Sequence, residues 1–117
     1  MRKERIASLL QSEIASVLLR TVNDHRIGLI SITEVKLSKD FRSALIFYSQ
    51  IGNEEQKEIT IKALKSATPF IHSEVSKQIR YMQIPKLRFQ FDSRLEKNMI
   101  LASQIRQQKL NDDHSLR

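Results

Sequence analysis

The sequence predicts a single mixed α+β domain, one small sheet with helices mainly on one face, its elements in the order α-β-β-α-α-β-α. Three observations carry that prediction. Apolar residues recur at helical spacing in some segments, and β-branched or alternating residues fill others. Helical and strand patterns are interspersed along the chain. A length of 117 residues suits one core and leaves no room for two.

The first helix runs from Arg2 to Thr21, where Ile6, Leu9, Leu10, Ile14, Val17 and Leu18 fall on one face. The turn-prone run Val22-Asn23-Asp24-His25-Arg26 ends it. Gly28 to Leu37 reads as a strand, with Ile30 and Ile32 on one face but Val35 and Leu37 on the other, so a bulge near Thr33 is expected. After the polar turn Ser38-Lys39-Asp40, the segment Ser43 to Ile51 is apolar on both faces, as a central strand would be, and pairs with the first as a hairpin.

A second helix is expected over Glu54 to Ser66, acidic in its first turn and carrying Lys62 and Lys65 in its last. Ala67-Thr68-Pro69 interrupts the pattern. Thr68 is suited to an N-cap and Pro69 to a first helical position, so a third helix is predicted from Pro69 to about Tyr81, with Ile71, Val75, Ile79 and Met82 inward and Lys77 and Arg80 outward. Pro85 closes it, and Lys86 to Asp92 alternates strictly, Leu87, Phe89 and Phe91 inward and Lys86, Arg88 and Gln90 outward. Ser93-Arg94-Leu95-Glu96 matches a capping box, which places a last helix with Leu95, Met99, Ala102 and Ile105 after the strand. The expected domain covers residues 1–106. Residues 107–117 are polar and read as a disordered tail.

Composition narrows the function. With 40% apolar and 28% charged residues and no long uncharged apolar run, no membrane span is expected, and the charged opening lacks the apolar core of a secretory signal. The absence of cysteine excludes thiol catalysis and cysteine-based metal sites and fits a cytoplasmic address. His25, His72 and His114 have no metal-ligand spacing, and Gly28 and Gly52 cannot form a Gly-rich phosphate loop. Glu54, Glu55 and Glu58 are explained by the helix dipole. No catalytic residues, metal or cofactor are expected.

The charge is the positive signal. The formal net charge is +7 and the pI is near 10, and the excess is concentrated between residues 62 and 106, where Lys62, Lys65, Lys77, Arg80, Lys86, Arg88, Arg94, Lys97 and Arg106 face Glu74, Asp92 and Glu96. Such a balance attracts a polyanion. The predicted helix start at Thr68-Pro69 would present unpaired amides beside Lys62, Lys65 and His72, a place for phosphate. Lys77 with Arg80, and Lys86 with Arg88, could track a nucleic-acid backbone. Phe47, Tyr48, Phe70, Phe89 and Phe91 lie in apolar surroundings and read as core, and there is no Trp, which favours recognition of shape and phosphate over base stacking. A DNA-binding helix-turn-helix is disfavoured because Pro69, Phe70 and Ile71 stand where base-reading residues belong. A protein-interaction module built on the first helix is the third alternative.

An ordered set of residues also resembles a known family. Asp24-His25-Arg26, the strand Ile30-Ser31-Ile32-Thr33-Glu34-Val35, Leu37-Ser38-Lys39-Asp40 with Ala44, Lys62-Ala63-Leu64, Ala67-Thr68-Pro69-Phe70-Ile71, and Ile84-Pro85-Lys86-Leu87 with Phe89 and Asp92 together are similar to the ribosome-binding factor A proteins of bacteria and organelles. The resemblance implies a type II KH-like fold, α-β-β-α-α-β, here with an added C-terminal helix, in which a helix-kink-helix centred on Ala67 replaces the GxxG loop. It implies a monomeric, cytoplasmic, non-catalytic assembly factor that binds the immature small (30S) ribosomal subunit and its 16S rRNA, supports processing of the 5′ end of that RNA, and aids growth in the cold. The RNA-binding residues expected on this reading are Lys62, Lys65, Ala67, Thr68, His72, Lys77, Arg80, Lys86 and Arg88. Pro69 and His72 depart from the family pattern, which has Gly and a basic residue at those places, and His25 stands where Pro is usual.

Overall fold

The computed structural model describes residues 3–20, 27 and 30–94. Asp24, His25 and Arg26, the predicted last helix beyond Arg94 and the expected tail lie outside the described residues. Five elements follow in order: α1 (Lys3–Arg20), β1 (Ile30–Leu37), β2 (Ser43–Gln50), α2 (Glu54–Gln78) and β3 (Lys86–Phe91). The sheet order is β1-β2-β3, so β2 is central, as its two-sided apolar pattern requires. β1 and β2 pair antiparallel, whereas β2 and β3 pair parallel because α2 carries the chain back across the sheet.

The phase slip in β1 is a bulge. Register shifts between Ile32 and Glu34, leaving Thr33 as the extra residue. With that insertion Ile32 lies opposite Tyr48, Val35 opposite Ile46 and Leu37 opposite Ala44. β3 continues the same face, Ala44 opposite Leu87 and Ile46 opposite Phe89. Both helices cover it. Ile6, Leu10, Ile14 and Val17 of α1 and Ile71 and Val75 of α2 join Val35, Leu37, Ala44, Ile46 and Leu87 in one core. Gln11 Nε2 also donates to the Ile32 carbonyl at 3.2 Å, fixing α1 on β1.

Helix α2 starts where expected. Asn53 is its N-cap, accepting from the Gln56 N–H at 2.8 Å, and Gln56 Oε1 accepts from the Asn53 N–H at 3.2 Å, which completes a capping box. Its course differs from expectation: α2 is continuous through Pro69 and ends at Gln78, with Ile79 as C-cap. Thr68 is therefore not an N-cap. Its hydroxyl instead donates to the Leu64 carbonyl one turn back, at 2.7 Å. Pro69 has no N–H for the Lys65 carbonyl, a defect that costs about 3 kcal/mol in a helix interior. The buried stripe Leu64, Ile71 and Val75 stays in phase across it, and burial of each such side chain contributes about 1.5–3 kcal/mol. Packing on the sheet outweighs the local break.

The turn joining β1 and β2 is built by its polar residues. The Phe41 N–H donates to the Ser38 carbonyl at 3.1 Å, and the Ser38 N–H to the Ser43 carbonyl at 2.9 Å. Asp40 Oδ1 accepts from the Ser38 hydroxyl at 2.7 Å and from the Arg42 N–H at 3.1 Å. These bonds, that from Ser38 foremost, hold the Asp40 carboxyl below its ordinary pKa.

At the end of β3 a buried carboxylate ties the outer side of the sheet together. Asp92 accepts from Arg94 Nε at 2.9 Å, Arg94 Nη2 at 2.8 Å and the Thr33 hydroxyl at 2.7 Å. Arg94 Nη1 reaches Glu34 at 2.8 Å. Asp92 Oδ1 also accepts from the Arg94 N–H, at 3.0 Å. Hydrogen bonds from Arg94 and then Thr33 hold the Asp92 carboxyl well below the carboxylate range. A depressed folded pKa stabilises the fold above the unfolded value of about 4, and that contribution is lost as pH falls toward the folded value. Melting curves followed by circular dichroism between pH 7 and pH 2 should show the wild-type melting temperature dropping below about pH 4. Asp92→Asn should melt lower at pH 7 and lose much of that acid-side slope. Equal slopes in the two proteins would remove Asp92 as a cause.

Candidate functional site

Two adjoining grooves lie along the side of α2 that faces β3. The larger, about 1120 Å³, is bounded by Thr68, Pro69, His72 and Ser76 of α2, by Asp40, Phe41 and Arg42 of the turn, and by residues 82–87 leading into β3. The smaller, about 440 Å³, is bounded by Tyr48, Ile61, Leu64, Lys65, Thr68, Pro69, Leu87, Arg88 and Phe89. Thr68, Pro69 and Leu87 line both. The lining mixes buried apolar residues such as Ile84, Leu64 and Leu87 with the exposed cations Arg42, Lys65, Lys86 and Arg88 and one carboxylate, Asp40.

The grooves gather part of the expected site. Lys65 and Arg88 border the smaller, Lys86 and His72 the larger, and Thr68 both. Lys62 is exposed one turn earlier on α2. Ala67 is half-buried and packs against the core, so it shapes the helix seat without lining a groove. Lys77 and Arg80 are exposed, as expected, but each has a partner within the protein. Lys77 pairs with Glu74 at 3.1 Å, a spacing of three residues within one helix turn. Arg80 lies beyond the end of α2 and folds back, its Nε donating to the Lys77 carbonyl at 3.1 Å, as cations commonly do at a helix C-terminus. Neither lines the two grooves.

His72 also has a structural task. Its Nε2 is 3.2 Å from the Ile84 carbonyl. A carbonyl only accepts, so Nε2 is the donor in this bond. The bond fastens α2 to the segment entering β3. The phosphate cradle expected at a helix start does not exist, because Pro69 is inside a helix and the amides after it point to carbonyls a turn earlier. What proline removes is a partner for the Lys65 carbonyl, an acceptor, which is the wrong sign for phosphate.

The aromatic residues divide. Tyr48 is buried and meets Phe91 edge-on, ring centroids 5.9 Å apart, and burial raises the Tyr48 pKa. Phe89 packs against the core. Phe47, also expected in the core, is instead half-buried on the opposite sheet face, between the Lys36 ammonium at 5.5 Å and the Arg94 guanidinium at 5.2 Å. Phe70 is 46% exposed on α2, so its expected place in the core is corrected: a helix that continues through Pro69 turns position 70 outward. Phe41 and Arg42, which sequence reasoning passed over, both line the larger groove. A phenylalanine inside an otherwise polar turn was the signal available. Among the described residues no three His, Cys, Asp or Glu side chains gather where they could hold a metal ion, and no helix is long and apolar enough to cross a membrane.

Fold and grooves define a class: a small α+β domain, three strands under two helices, offering a cation-bordered groove along one helix. The sequence matches the family model for ribosome-binding factor A over residues 2–105, and the chain belongs to that family. It is 42% identical over 113 residues to the ribosome-binding factor A of Dictyoglomus thermophilum, covering 96% of this chain and 94% of that one. The fold is similar to the crystal structure of ribosome-binding factor A from Thermus thermophilus, with a TM-score of 0.66 and 22% identity, covering 77% of this chain and 96% of the other. It is similar also to a homology model of the Thermus thermophilus factor fitted into a cryo-EM map of a 30S complex, with a TM-score of 0.61 and 22% identity, covering 74% and 90% of the two chains.

Proposed function

We propose that this protein binds the immature small (30S) ribosomal subunit through its 16S rRNA and supports late maturation, including 5′-end processing of that RNA, without bond chemistry of its own. Family membership over residues 2–105 carries the reading. The Thermus relative fitted into a 30S complex gives the kind of particle, and the grooves along α2 give a surface. On this reading the domain is KH-like of type II, the stretch of α2 around Ala67 stands in place of a GxxG loop, and the protein acts as a cytoplasmic monomer during growth in the cold.

Docking is electrostatic and shape-led. Lys62, Lys65, Lys86 and Arg88, with Arg42 added from the turn, supply the phosphate contacts, while Lys77 and Arg80 contribute less because Glu74 and the helix end already engage them. The helix-turn-helix alternative loses its basis, since one continuous helix stands where two are needed.

The test is sedimentation of the purified protein with small subunits, large subunits and duplex DNA at two salt concentrations. Selective pelleting with small subunits is expected. Four to five phosphate contacts at about 0.7–0.9 each give log K against log salt a slope of about −3 to −4.5. Equal pelleting with all three, abolished by salt, would reduce the basic surface to a general polyanion patch and overturn the proposal.

A further inference from the structure

The larger groove has an aromatic ring at its mouth that neither the core nor the turn requires. Phe41 has φ 60°, the left-handed region, which a bulky side chain enters only against steric resistance. Glycine would occupy it freely. The hydrogen bonds that build the turn come from Ser38, Asp40 and the backbone, and none uses the ring. The ring is not part of the core either, since Phe41 remains 37% exposed. It lines the groove together with Pro69 and His72 of α2.

Two cations accompany it. The Arg42 side chain is 88% exposed and its Nε is 4.0 Å from the nearest Asp40 oxygen, too long for a hydrogen bond. Lys86 is brought beside it by its own N–H, which donates to the Arg42 carbonyl at 2.9 Å. Both residues line the same groove. Asp40 lines the groove as well, but its carboxylate is held by the Ser38 hydroxyl and the Arg42 N–H, so a flat ring, apolar neighbours and two cations remain to match the parts of a nucleotide: a base face for the ring and a phosphate for the charges. A paired base in a duplex has its faces covered by its neighbours, so only an unpaired nucleotide fits this arrangement. An apolar peptide would fill the apolar part but leave Lys86 unmatched and Arg42 with only its long ion pair to Asp40.

We infer that the groove between the β1–β2 turn and α2 takes one unpaired RNA nucleotide, its base against Phe41 and its phosphate at Arg42 and Lys86. The inference rests on the RNA-binding reading above and deepens it by naming the form of RNA and the residue that stacks. Phe41 is held in its costly conformation by the Ser38 and Asp40 bonds, so the ring is already placed before RNA arrives.

The experiment uses the full chain and a short single-stranded RNA carrying one 2-aminopurine, free and annealed to its complement. Wild type should quench the fluorescence of the single strand and leave the duplex unchanged. Phe41→Gly should bind the single strand about tenfold more weakly and without quenching. Its melting temperature should be unchanged or higher, because glycine relieves the backbone, and Phe41→Trp should restore binding and quenching. Absence of quenching by wild type, or equal binding by Phe41→Gly, overturns the inference. Weaker sedimentation of Phe41→Gly with small subunits while its single-strand affinity is intact also overturns it, since Phe41 would then meet ribosomal protein. Failure of wild type to sediment with small subunits overturns the broader reading instead, which keeps the two failures apart.

Discussion

Replacing Lys65 and Arg88 together by glutamate is expected to weaken association with small subunits about a hundredfold at moderate salt. The change removes two cations from the margin of the smaller groove and places two anions there, a swing of four charges. A hundredfold corresponds to about 2.7 kcal/mol, or about 0.7 kcal/mol per unit of charge, in the range of screened surface interactions. The slope of log K against log salt should become shallower by about 2. Both residues are exposed, so melting should move by no more than a few degrees. The informative control is Lys77→Ala, whose cation is already paired with Glu74 and which should change affinity by about twofold or less. A loss of about threefold from Lys77→Ala, the same about 0.7 kcal/mol per unit of charge, would mean that binding follows total charge and not the groove.

Pro69→Ala is expected to raise the melting temperature by roughly 5–10 °C. Alanine supplies an N–H for the Lys65 carbonyl and is favoured over proline in a helix interior by about 3 kcal/mol. Part of that is offset, because proline also restricts the unfolded chain by about 0.4–1 kcal/mol and because alanine gives up the proline ring's packing in the two grooves it lines. A net gain of about 1–2 kcal/mol remains, which the usual entropy of unfolding for a domain near this size converts to the stated shift. Thermal melts of the two proteins in one buffer decide it. A lower melting temperature would show that the ring's packing in the two grooves it lines outweighs the missing hydrogen bond. Small-subunit sedimentation of the same variant would then tell whether that packing also matters for binding.

Much of the fold was legible because local pattern and burial agreed. The stripe Ile6, Leu10, Ile14 and Val17 sits at spacings of four and three, which no strand would bury on one side, and all four are buried. Two apolar pairs out of phase in β1 required one extra residue between them, and Thr33 is that residue. β2 had to be central since both of its faces are apolar. The candidate site was less legible. Lys65, Lys86 and Arg88 border the grooves as basic residues on helix and strand exteriors would, and Lys77 and Arg80 are exposed as expected but meet partners that composition does not reveal. Glu74 pairs with one, and the end of α2 takes the other.

By itself the sequence determined the mixed α+β class, the central place of β2, the bulge, the placement of the α2 start and the basic character of the second half. These follow from residue periodicity, caps and charge, which act over a few residues. Only the tertiary structure decided whether the chain breaks at Pro69, because that choice sets a local cost of about 3 kcal/mol against the burial of Leu64, Ile71 and Val75 on a sheet whose strands are distant in sequence. Tertiary structure likewise tied His72 to Ile84, turned Phe70 outward and set Phe41 and Arg42 across from α2. A turn between strands and the middle of a helix form one groove only when β3 lies parallel to β2, a pairing that no local pattern contains.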